Sequence, residues 1–296
     1  MMQSYIKIQR AQHFGMCFGV RDAIELAKSQ ATLGPVQVLG ALVHNPIVLS
    51  ELTALGVTTA AANGSLPEGT GPLMITAHGA SKRRLAALEA TGRSVIEATC
   101  PLVRASHRSL ERLVAEGYFP VVIGQREHVE VRGMTEDYDD HAVILSEEDV
   151  ASLPMKARYG LVSQTTQPLE KVRRLVARCR ERFPESEVRF IDTVCTPTKS
   201  RQQAAVALAK GCHRVLVIGG KDSNNTKELV ATCSQHCERV HHIQTAAELR
   251  ATWFEFGETV GLTAGTSTPD SVIDDVERWL EDFNCFQAKL HSTDGL

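Results

Sequence analysis

Three cysteines in this chain each stand at the mouth of a helical pattern. Cys195 follows a short apolar run, Val188 to Ile191, and the pair Asp192-Thr193. Behind it come Thr196-Pro197 and then Ala204-Ala205-Val206-Ala207-Leu208-Ala209, a run comfortable only as a helix. Proline is well tolerated in a first helical turn, because the N–H it lacks would have no partner there anyway. Cys100 also has proline next to it, Pro101, and a helical period behind it at Val103, His107, Leu110 and Val114. Cys17 precedes Val20, Ala23, Ile24 and Ala27, apolar at helical spacing. At such a place the unpaired N–H groups and the helix dipole favour a thiolate. A thiolate is a nucleophile or a metal ligand.

Three equivalent thiolates without a fourth suggest a metal site with one position left open. A structural zinc is usually closed by a histidine or a further cysteine. A [4Fe–4S] cube prefers thiolates, and three of them leave one iron free to bind substrate. Around the cysteines in the pattern lie His44, His78, His128, Ser223, Asn225 and Ser267, with Thr165 and Glu130. These are donors suited to an anionic ligand, with one carboxylate as a candidate proton source. Lys and Arg are nearly absent from the set, which argues for recognition by hydrogen bonds rather than by charge.

The elements that must position these residues alternate regularly. Apolar runs at 36–43, 73–77, 120–124, 159–162, 214–219 and 259–263 read as strands. Each ends in a polar residue of the set: His44, His78, His128, Thr165, Ser223 and Ser267 respectively. Helical patterns separate them, one of them a short run at 246–250, and a closing helix over 271–282 leaves a polar tail. From each cysteine to the first of these polar ends the distance along the chain is 27, 28 and 28 residues; to the second it is 61, 65 and 72. Repetition of this kind decides a fold class. Strands alternating with helices argue for an α/β chain of small parallel sheets, whose ligands bind beyond the carboxyl ends of the strands. The expected division is 13–100, 101–194 and 195–282, with short segments 1–12 and 283–296 outside. Three such units round a pseudo-threefold axis would bring Cys17, Cys100 and Cys195 to one centre.

Composition sets the bounds. The 296 residues are 43% hydrophobic and 23% charged with a formal net charge of −3, which gives no reason to expect nucleic acid or an anionic membrane as partner. No run approaches the ~18 apolar residues of a membrane span, and residues 1–10 hold no apolar leader core. The cytoplasm is the expected compartment. Eight cysteines without a C-x-x-C pair are too sparse for a disulfide framework. Cys233, His236 and Cys237 share a helix face, with His241 and His242 nearby, but lack a compelling fourth ligand. With Cys179, Cys212 and Cys285 they read as packing residues.

Taken together, these motifs resemble the IspH/LytB family of 4-hydroxy-3-methylbut-2-enyl diphosphate reductases over roughly residues 13–280. The matching stretches are Gly15-x-Cys17-Phe18-Gly19-Val20, Val43-His44-Asn45, Ala77-His78-Gly79 and Ala98-Thr99-Cys100-Pro101-Leu102-Val103. They continue through His128-x-Glu130-Val131, Gln164-Thr165-Thr166, Cys195-x-x-Thr198-x-x-Arg201-Gln202, Lys221-x-Ser223-x-Asn225 and Ala264-Gly265-x-Ser267-x-Pro269-Asp270. The resemblance implies a trefoil of three α/β domains round a [4Fe–4S] cluster on Cys17, Cys100 and Cys195. It implies an allylic diphosphate substrate held by His44, His78, His128, Ser223, Asn224, Asn225 and Ser267. Two single-electron transfers would cleave the C–O bond, with Glu130 as proton source, Thr165 orienting the alcohol and His128 beside them. Isopentenyl and dimethylallyl diphosphate would result, as the last step of the methylerythritol phosphate route, with electrons from a ferredoxin or flavodoxin.

Two positions depart from the family pattern. Val129 stands where proline is usual between the histidine and the glutamate, and Asn224 replaces a second serine. Other readings of the cysteine set are a quinolinate-synthase-like dehydratase on the same kind of cluster, and a non-enzymatic iron–sulfur sensor. A sensor would leave Glu130, Thr165 and the three histidines without a role.

Overall fold

Every strand pairing among the described residues is parallel, and the strands form three sheets of four. The protein is seen here as a computed structural model describing residues 5–43, 45–61, 66–69 and 71–293, with side chains as far as residue 287. It divides into two compact units. One comprises Met1–Cys17, Val43–Val48 and Lys199–Leu296, the other Phe18–Leu42 and Leu49–Thr198.

The chain begins with β1 (Lys7–Arg10) and α1 (Phe18–Ala31). The first complete sheet follows: β2 (Val36–Leu39), β3 (Val57–Ala60), β4 (Leu73–Ile75) and β5 (Val95–Glu97), in the order β3-β2-β4-β5. Helices α2 (Pro46–Ala54) and α3 (Lys82–Glu89) connect its strands. Leu39, Leu73, Ile75 and Leu88 form its small core. Next come α4 (Pro101–Ala115), β6 (Phe119–Ile123), α5 (Val129–Thr135), β7 (Ala142–Ile144), α6 (Glu147–Ala151), β8 (Arg158–Ser163), α7 (Leu169–Arg182) and β9 (Glu187–Phe190). The second sheet repeats the order, β7-β6-β8-β9. All five β6 residues are buried, as befits a parallel strand covered on both faces. Leu110, Leu113, Val131 and Met134 from α4 and α5 cover one face, and Val172, Leu175 and Val176 from α7 the other.

The other unit holds the third sheet. After α8 (Thr196–Gly211) come β10 (Arg214–Ile218), α9 (Asn224–Ser234), β11 (Val240–Ile243), β12 (Thr259–Ala264) and α10 (Asp270–Thr293). Its order is β11-β10-β12-β1. The first strand of the chain therefore fills the place that β5 and β9 fill in the other sheets, through register pairs such as Lys7 with Thr259. Each of these fourth strands leads directly into a cysteine: β1 into Cys17, β5 into Cys100, β9 into Cys195.

Several local features differ from the sequence expectation, helix α5 among them. Segment 1–12 lies outside the expected domains, yet contains β1, whose Lys-Ile-Gln-Arg composition is that of an edge strand. Strand β3 is equally polar. The helix expected at 246–250 is instead two short 3₁₀ turns, Ala246–Glu248 and Ala251–Trp253. The closing helix does not stop at 282 but runs to Thr293, with Val272, Ile273, Val276, Leu280 and Phe283 packed on the third sheet. Among the described residues, no helix is long and apolar enough to cross a membrane.

Candidate active site

One backbone hydrogen bond recurs at all three cysteines. The N–H of Cys17 donates to the Thr266 carbonyl at 3.1 Å, that of Cys100 to Ala77 at 3.0 Å, and that of Cys195 to Thr165 at 3.0 Å. Each acceptor lies two residues beyond the end of a central strand: β12, β4 and β8. Each cysteine is thus pinned across the carboxyl edge of its own sheet, directly before the first turn of α1, α4 or α8. Cys100 is the N-cap of α4, with Pro101 in the first turn as the sequence predicts. None of the three helices has an acidic residue in its first turn. All three cysteines are half-buried and none is in a disulfide.

Close packing fixes the thiols further. A Cβ added to Gly19 would stand 2.6 Å from the Cys100 Sγ, so only glycine lets the start of α1 come this near. The Cys195 thiol donates to the Thr198 hydroxyl at 3.1 Å. In the other unit, the loop before Cys17 is tied at several points. The Gly15 N–H donates to the Ala264 carbonyl at 3.1 Å. The Gly15 carbonyl accepts from the Arg201 Nε and from its terminal nitrogen, at 3.1 and 2.7 Å. Gly15 itself has a φ of 74°, a left-handed conformation that glycine adopts without strain. Arg201, buried in this role, is a positioning residue that the sequence motif contains without showing its purpose.

Glu130 lies in the first turn of α5 and is 1% exposed. Its Oε1 accepts the Thr165 N–H at 2.6 Å and its Oε2 accepts the Thr165 hydroxyl at 3.0 Å. Burial pushes its carboxyl up to about 7, and the two bonds from Thr165 only partly oppose that. An uncompensated buried carboxylate rises in this way because desolvation penalises the charged form. His128 is the N-cap of α5: its Nδ1 accepts the Glu130 N–H at 3.2 Å. With Nδ1 accepting, the neutral ring carries its proton on Nε2. His78 meets His128 edge to face, with ring centroids 5.2 Å apart.

The corresponding turn of the third sheet gathers a second polar group. Ser223 caps α9 by accepting the Thr226 N–H. The buried Asn225 Oδ1 accepts the Thr266 N–H at 3.0 Å, which leaves its amide N–H groups as donors. Ser267 is buried nearby along the chain, after the end of β12. Asn224 opens α9 at its first helical position. His44, the remaining histidine of the expected set, lies outside the described residues.

Two further residues escaped the sequence reading. The Thr226 hydroxyl has no partner among the described residues; it packs under the turns at Gly219 and Gly265. His107, on α4, packs against Gly79 and Gly133, and desolvation lowers its pKa from the ordinary histidine value. The apolar period that revealed α4 contained His107, but nothing in that period marks it as a support for the His78 turn.

The cysteines outside the set behave as packing residues, with one exception. The Cys179 and Cys233 thiols are buried and pushed up to about 11 and about 12 by desolvation. Cys237 faces the carbonyls of Cys212, His213 and Arg239. Cys285 instead lies exposed on α10. Among the described residues, no three His, Cys, Asp or Glu side chains gather as ligands of a single ion do. Thiols at the corners of an iron–sulfur cube stand farther apart than such ligands, because inorganic sulfide and iron lie between them. Half-buried thiols at helix starts free of acidic residues suit a polynuclear, thiolate-bound cofactor.

A family model described as LytB protein matches residues 8–281. The chain belongs to the LytB family. One relative, the 4-hydroxy-3-methylbut-2-enyl diphosphate reductase of Pelobacter propionicus, is 36% identical over 273 residues, covering 92% of this chain and 96% of that protein. Another of the same name, from Citrifermentans bemidjiense, is 37% identical over 268 residues, covering 90% and 94%. Two solved structures share the fold. One is described as (E)-4-hydroxy-3-methyl-but-2-enyl diphosphate reductase, the terminal enzyme of the non-mevalonate pathway. It is 34% identical, with a TM-score of 0.68 over 94% of this chain and 99% of that one. The other, the E-1-hydroxy-2-methyl-but-2-enyl-4-diphosphate reductase from Plasmodium falciparum, is 26% identical, with a TM-score of 0.83 over 94% and 88%.

Within the LytB family pattern the two departures now have places. Val129 is the first residue of α5, directly after the cap. Proline is well accommodated there for want of a helical N–H partner, so valine starts the same helix. Asn224 holds the equivalent position of α9, beside the capping Ser223.

Proposed function

We propose that this chain reduces 4-hydroxy-3-methylbut-2-enyl diphosphate to isopentenyl and dimethylallyl diphosphate, using a [4Fe–4S] cluster on Cys17, Cys100 and Cys195 at the centre of a trefoil. The observation that carries the reading is the Thr165 junction. One residue accepts the Cys195 N–H with its carbonyl and donates twice to the buried Glu130. A proton store thus adjoins the anchor of a metal-binding thiol, as a coupled electron and proton reaction requires. A cluster held by three thiolates supplies single electrons and one iron without a protein ligand.

The reaction takes up two electrons and two protons, breaks the bond between carbon and the hydroxyl oxygen, and releases water. Glu130 holds a proton near neutral pH, because its carboxyl titrates at about 7. Thr165 orients the alcohol through its hydroxyl and passes the proton from Glu130. His44, His78, His128, Ser223, Asn224, Asn225 and Ser267 bind the diphosphate by hydrogen bonds. The Asn225 amide N–H groups are donors, its Oδ1 being taken by the Thr266 N–H, and the Glu130 N–H holds the His128 ring through Nδ1. The electrons come from a ferredoxin or flavodoxin, and the setting is the cytoplasm. The proposed division is 13–100, 101–194 and 195–282, with Cys17 and Cys100 near the two ends of the first domain and Cys195 at the start of the third.

The test is anaerobic reconstitution, followed by incubation with the hydroxylated substrate and a one-electron reductant. Formation of both C5 diphosphates supports the reading. An intact cluster without turnover contradicts it and favours a quinolinate-synthase-like dehydratase or a sensor.

A further inference from the structure

Two short segments of the larger unit run side by side and touch at three points, taken in order along both. His78 meets the His128 ring edge to face, centroids 5.2 Å apart. Further on, the Ala80 backbone packs on Gly133, its Cα 3.4 Å from the position of a Cβ there. At the far end the Asp137 carboxylate accepts the N–H groups of Lys82 and Arg83, each at 2.9 Å. The first segment leads from β4 into α3, and the second is α5 with its cap and the residue beyond.

The Asp137 contact differs in kind from the charges around it. Lys82 and Arg83 open α3, where backbone N–H groups have no partner within the helix. A carboxylate placed there gains from charge-assisted hydrogen bonds and from the helix dipole together. The N-cap Ser81 accepts only the Arg84 N–H, and its hydroxyl donates to Glu136 at 3.3 Å. The Lys82–Glu111 and Arg83–Asp139 ion pairs are exposed, and pairs of that kind contribute little. Asp137 therefore supplies the main tie between the start of α3 and the end of α5.

That tie bears on His78. The turn His78-Gly79-Ala80 is fastened at its β4 end, where the His78 N–H donates to the Thr76 hydroxyl and the Gly79 N–H to the Thr76 carbonyl. Gly79 has a φ of 75°, a conformation open to glycine at little cost and a natural pivot. Released at the α3 end, the turn would swing about Gly79 and carry the His78 ring off His128. We propose that Asp137 is a positioning residue: by capping α3 from the end of α5, it keeps His78 against His128 so that one diphosphate meets both rings. The proposal rests on the reading above, in which these histidines bind the diphosphate. Asp137 acts through the backbone of α3 rather than on the substrate, so its effect falls on binding and not on bond breaking.

The experiment uses reconstituted holoenzyme: wild type, Asp137→Ala, Asp137→Asn, His78→Ala and the His78→Ala/Asp137→Ala double variant. Ser146→Ala is the control, because it removes the cap of α6, a loss of similar size in stability, and has no part in the site. KM and kcat are measured with the hydroxylated diphosphate, and Kd with inorganic diphosphate, a probe that needs no turnover. Asp137→Ala should raise KM and Kd about tenfold and leave kcat within about threefold, the mark of lost uniform binding. Asp137→Asn keeps one acceptor oxygen and should lose about two- to threefold; it carries the comparison if the alanine variant does not fold. Ser146→Ala should lower the unfolding midpoint with KM and Kd unchanged. In the His78→Ala background the Asp137 change should add less than about twofold, because both act on one contact.

Unchanged KM and Kd in Asp137→Ala would overturn the proposal. So would an equal rise in Ser146→Ala, which would trace the effect to stability alone. A loss of the same size on top of His78→Ala would also overturn it, since Asp137 would then act by another route. If wild type bound inorganic diphosphate but did not reduce the hydroxylated substrate, the reductase reading would fall, and the titrations would still decide the role of Asp137. Wild type with no affinity for diphosphate would overturn the proposal itself.

Discussion

Thr165 donates twice to Glu130, from its N–H to Oε1 at 2.6 Å and from its hydroxyl to Oε2 at 3.0 Å. Its carbonyl meanwhile holds the Cys195 N–H. A single residue at the end of β8 thereby fixes both the acid and the turn that presents a thiol. The bonds from Thr165 stabilise the carboxylate, but burial outweighs them and leaves the group titrating at about 7. That balance makes Glu130 a proton donor at neutral pH, because an acid works best with a pKa near the working pH.

Activity should therefore fall as pH rises through about 7, since the protonated form is the donor. In Glu130→Gln the cluster should remain, most turnover should be lost, and the alkaline fall governed by this group should vanish from the residual rate. The same shift has a stability consequence. The folded value lies above the ordinary 4.5, so the native state binds the extra proton. Stability from this group is full below about 4.5 and is lost as pH rises through about 7. The loss is roughly 3 kcal/mol. Denaturant titrations of the metal-free protein at pH 5 and pH 8 should show a smaller difference for Glu130→Gln than for wild type; equal differences would contradict the burial argument.

Thr165→Val removes the hydroxyl but keeps the backbone N–H and carbonyl. The Cys195 turn should survive, so iron content after reconstitution should match wild type. Turnover should drop about 10²-fold or more, the scale of a lost proton-transfer group, and the alkaline limb should move to higher pH because one stabilising bond to the carboxylate is gone. Loss of iron in this variant would show that the hydroxyl supports the fold instead.

Gly19→Ala would place a Cβ 2.6 Å from the Cys100 Sγ. Something must shift, at a cost of roughly 1–3 kcal/mol for overpacking. The predicted result is lowered iron and sulfide per chain after reconstitution. Gly211→Ala is the control, because nothing lies within 4 Å of its Cβ position; it should bind iron as wild type does. Full iron content in Gly19→Ala would contradict the close approach of α1 to Cys100.

Val129→Pro should be nearly neutral, within about 0.5 kcal/mol in denaturant unfolding and about twofold in rate, because position 129 is the first of α5 and proline is accommodated there. A large loss would mean that the valine side chain or its N–H has a separate role.

The sequence reading succeeded where burial writes a simple pattern. Strands β6, β10 and β12 are covered on both faces, so they read as unbroken apolar runs. The cysteines declared themselves by proline and helical period, and all three stand at helix starts. Polar edge strands left no such trace: β1 and β3 have partners on one side only, and Lys7, Gln9 and Thr58 serve them as well as apolar residues would. Helix α5 was hidden as well. Most of its seven residues are buried, which erases the amphipathic period, and Gly133 within it reads as a break. Arg201 and Thr226 are legible only in three dimensions, since each acts on a loop distant in sequence or on glycines that look like ordinary turns.

The most direct test of the account is iron and sulfide analysis with Mössbauer spectra of the anaerobically reconstituted chain, beside Cys17→Ser, Cys100→Ser and Cys195→Ser, with and without the hydroxylated diphosphate. The prediction is about four iron atoms per wild-type chain, one of them changed in its spectrum by substrate, and a lost or degraded cluster in every serine variant. A single bound metal ion in the wild type, or an intact substrate-responsive cluster after replacement of any one of the three cysteines, would contradict it.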